Sequence, residues 1–200
     1  MMYLFVKRFL DLLLSIIGLL VLIPILVITV IAIKLESKGP VFFIQKRLGQ
    51  SGNVFWIIKF RSMKTGAEKG GVYSDKNDNR VTRVGKFIRA TSIDELPQLI
   101  NIIKGEMSII GPRPTLTYHP WPLEEYTTEQ KKRFEVKPGV TGWAQINGRK
   151  ELMWDQRLQF DIEYVNNLSF AFDLKIFFKT IFMVFTMKNN TNTGETVIKY

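Results

Sequence analysis

The sequence predicts an α+β fold that is mostly helical and is held to a membrane through its N-terminus. Three features point there. An apolar run fills residues 9–33, two short β-branched and aromatic runs flank a Gly-containing turn, and from residue 81 onward apolar positions recur at helical spacing.

Lys7 and Arg8 precede the apolar run, and Lys34 closes it. As an unbroken helix at ~1.5 Å per residue, the run is long enough to cross a bilayer. A cleaved signal peptide has a shorter apolar region and a small-residue cleavage site, which do not describe this segment. Pro24 sits in the middle of the run; it lacks an N–H and crowds the preceding turn, so a kink or break is expected there. Asp11 and Gly18 add further cost inside the apolar stretch. Basic residues flank both ends: Lys7 and Arg8 before the run, then Lys34, Lys38, Lys46 and Arg47 after it. Charge therefore gives no orientation for a spanning helix. Two arrangements stay open on this basis: a re-entrant hairpin that dips into one leaflet and returns, and a spanning helix with a proline kink.

Val41-Phe42-Phe43-Ile44 and Val54-Phe55-Trp56-Ile57-Ile58 read as the strands of a small hairpin turned through Gly49-Gln50-Ser51-Gly52-Asn53. Residues 64–80 are polar and rich in Gly, Lys, Asp and Asn, the composition of a mobile loop. Helical patterning then covers 81–90, 92–104, 123–135 and 150–166, interrupted by Gly/Pro turns at 111–114 and 138–142. Residues 168–187 crowd phenylalanines among Asp173, Lys175 and Lys179, too many charges for a comfortable span. An amphipathic helix on the bilayer surface and a core helix of a small domain both fit that pattern. Residues 189–200 form a polar, flexible tail. The expected division is a membrane segment over 1–36, a domain over 37–188 and the tail over 189–200.

The 46% of hydrophobic residues are enough for a core, but the net charge of +10 costs self-repulsion in a compact state. It calls for an anionic partner: nucleic acid, lipid headgroups or phosphorylated small substrates. Lys and Arg are scattered along the chain, which argues against a basic nucleic-acid tail, and the apolar N-terminus has no role in a nucleic-acid module. The absence of cysteine excludes disulfides, thiolate zinc sites, iron–sulfur clusters and cysteine nucleophiles. With His119 the only histidine, no His-based zinc site is available. Neither a Walker A sequence nor a Gly-x-Gly-x-x-Gly turn is present.

Thr91-Ser92-Ile93-Asp94-Glu95-Leu96 reads as a helix start, with Ser92 and Glu95 spaced for a capping box. Asp94 then falls in the first turn, where the helix dipole favours a carboxylate. The same physics serves chemistry, because helix N-termini bind phosphate and a carboxylate there can attack phosphorus. Glu95 has the hard oxygens that suit Mg²⁺. Cations gather around the pair in sequence: Lys59 and Arg61 after the second strand, Arg89 before the helix, Arg113 between two prolines, and Arg149 after Asn147-Gly148. Arginine clamps on phosphoryl oxygens stabilise charge in phosphoryl transfer, although a solitary arginine is more often a solvated surface group. The stiff Gly111-Pro112-Arg113-Pro114 backbone preorganises its long side chain, which makes sense for a ligand contact. Trp121, Trp143 and Trp154 are suited to stacking on a base, and equally to core or interface packing.

Taken in order, Lys59-Phe60-Arg61-Ser62-Met63, Asp94-Glu95-Leu96-Pro97-Gln98-Leu99, Gly111-Pro112-Arg113-Pro114 and Pro138-Gly139-Val140-Thr141-Gly142-Trp143-Ala144-Gln145 resemble the bacterial sugar transferase family. Its monotopic phosphoglycosyl transferases start glycan assembly on polyprenyl phosphate. The resemblance runs from the apolar segment to about residue 188, the length of the minimal family form.

The resemblance implies a fold with a re-entrant membrane helix–break–helix, a small β-hairpin and a helical catalytic domain with amphipathic surface helices. It implies a ping-pong reaction in which Asp94 attacks the sugar-linked phosphate of a UDP-sugar, releases UMP and forms a phosphosugar-aspartyl enzyme. Undecaprenyl phosphate then takes the phosphosugar. Glu95 matches the position associated with Mg²⁺, and Lys59, Arg61, Arg89, Arg113, Gln145, Arg149, Asp161 and Asp173 match the family's polar, substrate-binding surroundings. Pro24 matches the proline at the membrane break, which places both helix ends on the cytoplasmic face of the bacterial inner membrane. Small members carry Ser-Pro there; this chain has Ile23-Pro24, so no hydroxyl answers the freed carbonyl. By analogy the sugar is N-acetylated. The partners implied are the UDP-sugar, undecaprenyl phosphate and membrane lipids, with no nucleic acid. The alternative is a membrane-surface protein that binds anionic lipid without chemistry, which explains the charge but not the company Asp94 keeps.

Overall fold

A computed structural model describes residues 2–67, 71, 78–148 and 152–186. Part of the expected polar loop, Arg149 and the 189–200 tail lie outside the described residues.

Helix α1 (Met2–Glu36) runs as one element with Pro24 inside it, without the break expected there. Pro24 withdraws a single N–H from the ladder, and the helix is carried on past it. One stripe of α1 faces inward along its whole length: Tyr3, Lys7, Asp11, Ser15, Gly18, Leu22, Leu26, Thr29 and Ile33 are buried or half-buried, three or four residues apart. Phe5, Phe9, Leu20, Val21, Ile28 and Leu35 on the other side are exposed. Tyr3, Lys7, Asp11, Ser15 and Thr29 sit on this inward stripe with Leu22, Leu26 and Ile33, while the outward side is apolar, unlike a water-facing helix.

The inward stripe is tied at both ends. Arg8 donates to the carbonyls of Ile102 (2.5 Å) and Ile103 (3.0 Å), and Asp11 accepts from the amide of Ile109 at 3.0 Å. At the far end Ile33 packs with Phe60 and Ile88, and Glu36 accepts from the amides of Arg83 (2.6 Å) and Val84 (2.9 Å). Those amides open helix α2 (Arg83–Ala90), which Thr82 caps by accepting from the amide of Gly85.

Strands β1 (Phe42–Leu48) and β2 (Val54–Phe60) pair antiparallel from Phe42↔Phe60 to Leu48↔Val54, longer than the two apolar runs alone. Alternation sends Phe55 and Ile57 inward onto Ile102 and Met107, while Phe42, Ile44, Val54 and Trp56 stay exposed. The Lys46 ammonium lies over the Trp56 ring at 5.2 Å.

The helix expected over 92–104 is split. A 3₁₀ turn spans Ile93–Glu95 and α3 spans Gln98–Lys104. Pro97 has no N–H to give the Ile93 carbonyl, which accepts from Leu96 instead, a tighter i+3 bond. The stretch 123–135 is likewise broken, into a 3₁₀ turn over Leu123–Glu125, the short α4 (Thr128–Lys131) and a second 3₁₀ turn over Lys132–Phe134.

Sequence patterning misses one pairing. Strand β3 (Ser108–Ile110) and strand β4 (Gly139–Thr141) run parallel, joining the two Gly/Pro motifs side by side. Glycine is required at this seam: a Cβ on Gly139 would lie 2.1 Å from the Gly111 nitrogen. Helices α5 (Trp143–Ile146), α6 (Trp154–Asn166) and α7 (Phe170–Thr186) close the domain around Ile110, Trp143, Tyr164 and Ile176. Helix α7 buries Asp173 and Ile176 and leaves Phe170, Leu174, Phe178, Ile181 and Phe182 exposed.

Candidate active site

A cavity of about 420 Å³ forms where β2, the 3₁₀ turn, the Gly/Pro seam and α5–α7 converge. Lys59 reaches it from β2, Arg89 from the last turn of α2, Asp94 and Glu95 from the 3₁₀ turn, and Arg113 from the loop after β3. Gln145 of α5 and Asp161 of α6 line it as well. Ser92, just before the carboxylates, has a left-handed backbone (φ 60°), uncommon for a residue with a side chain and a local source of strain.

The expected capping box does not form, since the Ser92 side chain makes no cap bond. Glu95 is held by two cations instead. Its carboxylate accepts from Lys59 Nζ at 2.8 Å and from Arg113 Nη2 at 2.6 Å. Burial works to raise the Glu95 carboxyl, but the Arg113 and Lys59 charges hold it well below the usual carboxylate range. Lys59 is itself lowered by burial, against the attraction of Glu95.

Asp94 meets the opposite environment. Among the described residues no hydrogen bond or ion pair engages its carboxylate, and it faces the same cavity. Burial pushes it up to about 6, the Glu95 charge adds to the rise, and Lys59, Arg89 and Arg113 counter it. The two neighbouring carboxylates are thus differentiated: one is clamped and firmly ionised, the other uncommitted and surrounded by cations. This is a fair arrangement for a nucleophile facing a phosphorylated ligand.

Asp161 lies in the cavity wall in a nearly water-free ion pair. Arg133 Nε and Nη2 donate to its carboxylate at 3.1 and 2.7 Å, with both side chains at most 4% exposed. Arg133 Nη2 also donates to the Arg113 carbonyl at 2.9 Å. Two expected site residues are placed away from the cavity. Arg61 is buried against the end of α1, donating to the Ser37 and Lys38 carbonyls at 2.8 and 2.9 Å. Asp173 accepts from Tyr3, from Lys7 (2.6 Å) and from the Tyr164 hydroxyl (2.8 Å), tying α7 to α1. Both are pulled from solvent by partners distant in sequence, which no local pattern reports.

Sequence reading missed Arg47, Arg133, Arg157 and the enclosing role of Trp154 and His119, all of which line the cavity. Two signals were present. Arg47 has the inward parity of the hairpin, opposite Phe55. Trp154, Arg157 and Asp161 share one face of a helix at spacings of three and four; Arg157 lies over the Trp154 ring at 4.8 Å. Trp143 packs in the core with its indole N–H given to Glu163 at 2.8 Å. Trp121 packs beside Tyr126.

Among the described residues no three Asp, Glu, His or Cys side chains converge as a dedicated metal cage. Mg²⁺ commonly needs fewer: one or two carboxylates, with substrate phosphates and water completing its shell. The adjacent Asp94 and Glu95 fit that sparse donor set, although the Glu95 oxygens are shared with Lys59 and Arg113.

A family model described as bacterial sugar transferase matches residues 2–187. A Bacillus subtilis protein named uncharacterized sugar transferase EpsL is 42% identical over 94% of this chain and 92% of its own length. An Escherichia coli UDP-glucose:undecaprenyl-phosphate glucose-1-phosphate transferase is 44% identical over 91% of this chain, but only 40% of its own length. An Aeromonas hydrophila UDP-N-acetylgalactosamine-undecaprenyl-phosphate N-acetylgalactosaminephosphotransferase is 42% identical over 92% of this chain and 44% of its own length. The chain thus spans nearly all of the first and about two fifths of the two with named substrates.

Proposed function

The chain belongs to the bacterial sugar transferase family, and from that premise we propose that it transfers a sugar-1-phosphate from a UDP-sugar to undecaprenyl phosphate. The observation that carries the reading is the contrast at the 3₁₀ turn. Asp94 faces a cationic cavity uncommitted, beside a Glu95 already clamped by Lys59 and Arg113.

In the proposed sequence an Asp94 oxygen attacks the sugar-bearing phosphorus and the bond to the bridging oxygen breaks. UMP departs with that oxygen and its electron pair, leaving an acyl phosphate on Asp94. An oxygen of the lipid phosphate then attacks the same phosphorus and Asp94 leaves as a carboxylate, giving the lipid-diphosphate sugar. Lys59, Arg89 and Arg113 bind and neutralise phosphoryl oxygens during both displacements. Glu95 orients Lys59 and Arg113 and is the group that would hold Mg²⁺, which when bound supplies further neutralisation of the diphosphate. Named donors among the relatives include glucose and N-acetylgalactosamine at nearly equal identity; an N-acetylated UDP-sugar is the donor to test first, with UDP-glucose beside it.

Helix α1 supports a membrane location. Both of its ends are bonded to one domain, through Arg8 and Asp11 at the start and Glu36 at the finish. A helix fastened to one body at both ends does not deliver those ends to opposite faces of a bilayer. This supports a placement in which α1 keeps both ends on one side of the membrane with its apolar face toward lipid; by family analogy that side is the cytoplasmic face of the inner membrane.

Intact-protein mass spectrometry tests the reading. Incubation with UDP-sugar and Mg²⁺ adds one phosphosugar to the wild-type mass, and the adduct is absent in Asp94→Asn. Asp94→Asn turning over near the wild-type rate would overturn the covalent route. Failure of the wild type to release UMP from any UDP-sugar with lipid phosphate would favour lipid binding without chemistry.

A further inference from the structure

The cavity has a second character that the phosphoryl chemistry leaves unused. Beside its charged residues the lining holds an aliphatic set, Leu96, Leu99, Val140, Ala144 and Val184, which we call its wall. Two threonines also line the cavity, and their hydroxyl protons are spent within the protein. Thr141 and Thr180 share a 2.8 Å hydrogen bond, and Thr180 also donates to the Ile176 carbonyl at 2.9 Å. Neither therefore has a hydroxyl proton left to donate to a ligand.

Two residues connect this wall to the outside. Val184 lines the cavity yet is 45% exposed, so the wall reaches the surface along α7. Its neighbours there, Ile181 and Phe182, are exposed and apolar too. Leu99 lines the cavity on one side and meets the membrane helix on the other: a Cβ at Gly18 of α1 would lie 3.4 Å from Leu99 Cδ1. An apolar track thus runs from the lipid-facing helices to within reach of Asp94. A sugar nucleotide has no extended hydrocarbon to lay along it. A ligand that is hydrocarbon at one end and phosphate at the other matches both halves.

Building on the transferase reading above, we propose that the Leu96–Leu99–Val140–Ala144–Val184 wall seats the first isoprene units of the polyprenyl acceptor, with its phosphate against the Lys59, Arg89 and Arg113 end. The wall is a binding site for isoprenoid hydrocarbon and makes the acceptor's chain, beyond its phosphate, a determinant of recognition. Acceptor and donor then share the cationic end in turn, as two successive displacements on one aspartate require.

The test separates hydrocarbon from phosphate and needs no turnover in its first arm. Full-length protein in nanodiscs is titrated with farnesyl phosphate and with inorganic phosphate, without nucleotide. Farnesyl phosphate is expected to bind at least about tenfold more tightly, a preference that Val184→Glu abolishes and Val184→Leu keeps; equal binding of the two probes by the wild type overturns the proposal. In the second arm, Val184→Glu raises the KM for undecaprenyl phosphate about tenfold more than it slows adduct formation from UDP-sugar alone. An unchanged acceptor KM, or an equal loss in both steps, also overturns it. A wild type that holds farnesyl phosphate through Val184 but forms no adduct with any UDP-sugar would instead sink the transferase reading and leave the isoprenoid seat standing.

Discussion

Two carboxylate–cation assemblies stand in the wall of one cavity, and they are built differently. Glu95 with Lys59 and Arg113 keeps partial access, with side chains 17%, 14% and 41% exposed. Asp161 with Arg133 is sealed at 4% and 3%. In the open assembly, charges can be handed from protein carboxylate to substrate phosphate. In the sealed one, each charge has lost water and depends on its partner, so exchange with a ligand is costly. The open set is suited to work on ligands, and the closed set holds the Arg113 backbone through the carbonyl that Arg133 grips at 2.9 Å.

Substitutions at each assembly test that contrast. The largest effect is expected beside the open set: Asp94→Asn lowers kcat by about 10⁴-fold or more, with UDP-sugar binding largely kept and thermal unfolding little changed. Product formation and a melting curve, measured together, check it; a large drop in Tm would assign Asp94 to structure. Next comes the sealed pair. Arg133→Met strands a buried carboxylate and costs about 3–5 kcal/mol of stability, read by denaturant unfolding in detergent. Arg133→Met with Asp161→Leu removes both charges and recovers most of that loss; if the double variant is no more stable than the single, the pair is not a sealed unit. A smaller effect follows at the open cation. Arg113→Met lowers kcat/KM by about 10²-fold yet costs under about 1 kcal/mol of stability, since its side chain is part-exposed. Comparable stability losses at Arg113 and Arg133 would erase the distinction drawn here.

Much of the site was legible in the sequence, because its motifs are local. Lys59, Asp94, Glu95 and Arg113 stand in short stretches whose residue types suit phosphate, and all four line the cavity. The hairpin was legible for a similar reason: alternation and a Gly-containing turn are nearest-neighbour properties. What escaped depended on distant partners. Strands β3 and β4 are each three residues long and pair across about thirty residues of intervening chain, leaving no periodic trace. Arg61 and Asp173 carry the charge of site residues, but α1 and its following turn take them up first. The capping box was a correct reading of spacing that lost to stronger offers, since Lys59 and Arg113 hold Glu95 more firmly than a backbone amide would.

The sequence alone determined that an apolar helix leads the chain, that a hairpin and helices follow, and that Asp94 and Glu95 stand together among cations. Those are matters of composition, period and adjacency. The tertiary structure decided which of the two carboxylates is clamped and which faces the cavity uncommitted, and brought aliphatic side chains into the same cavity. It alone could do so, because a group's ionisation and access are set by summed burial and charge from β2, α2, the β3 loop and α7, segments that meet only in the folded chain.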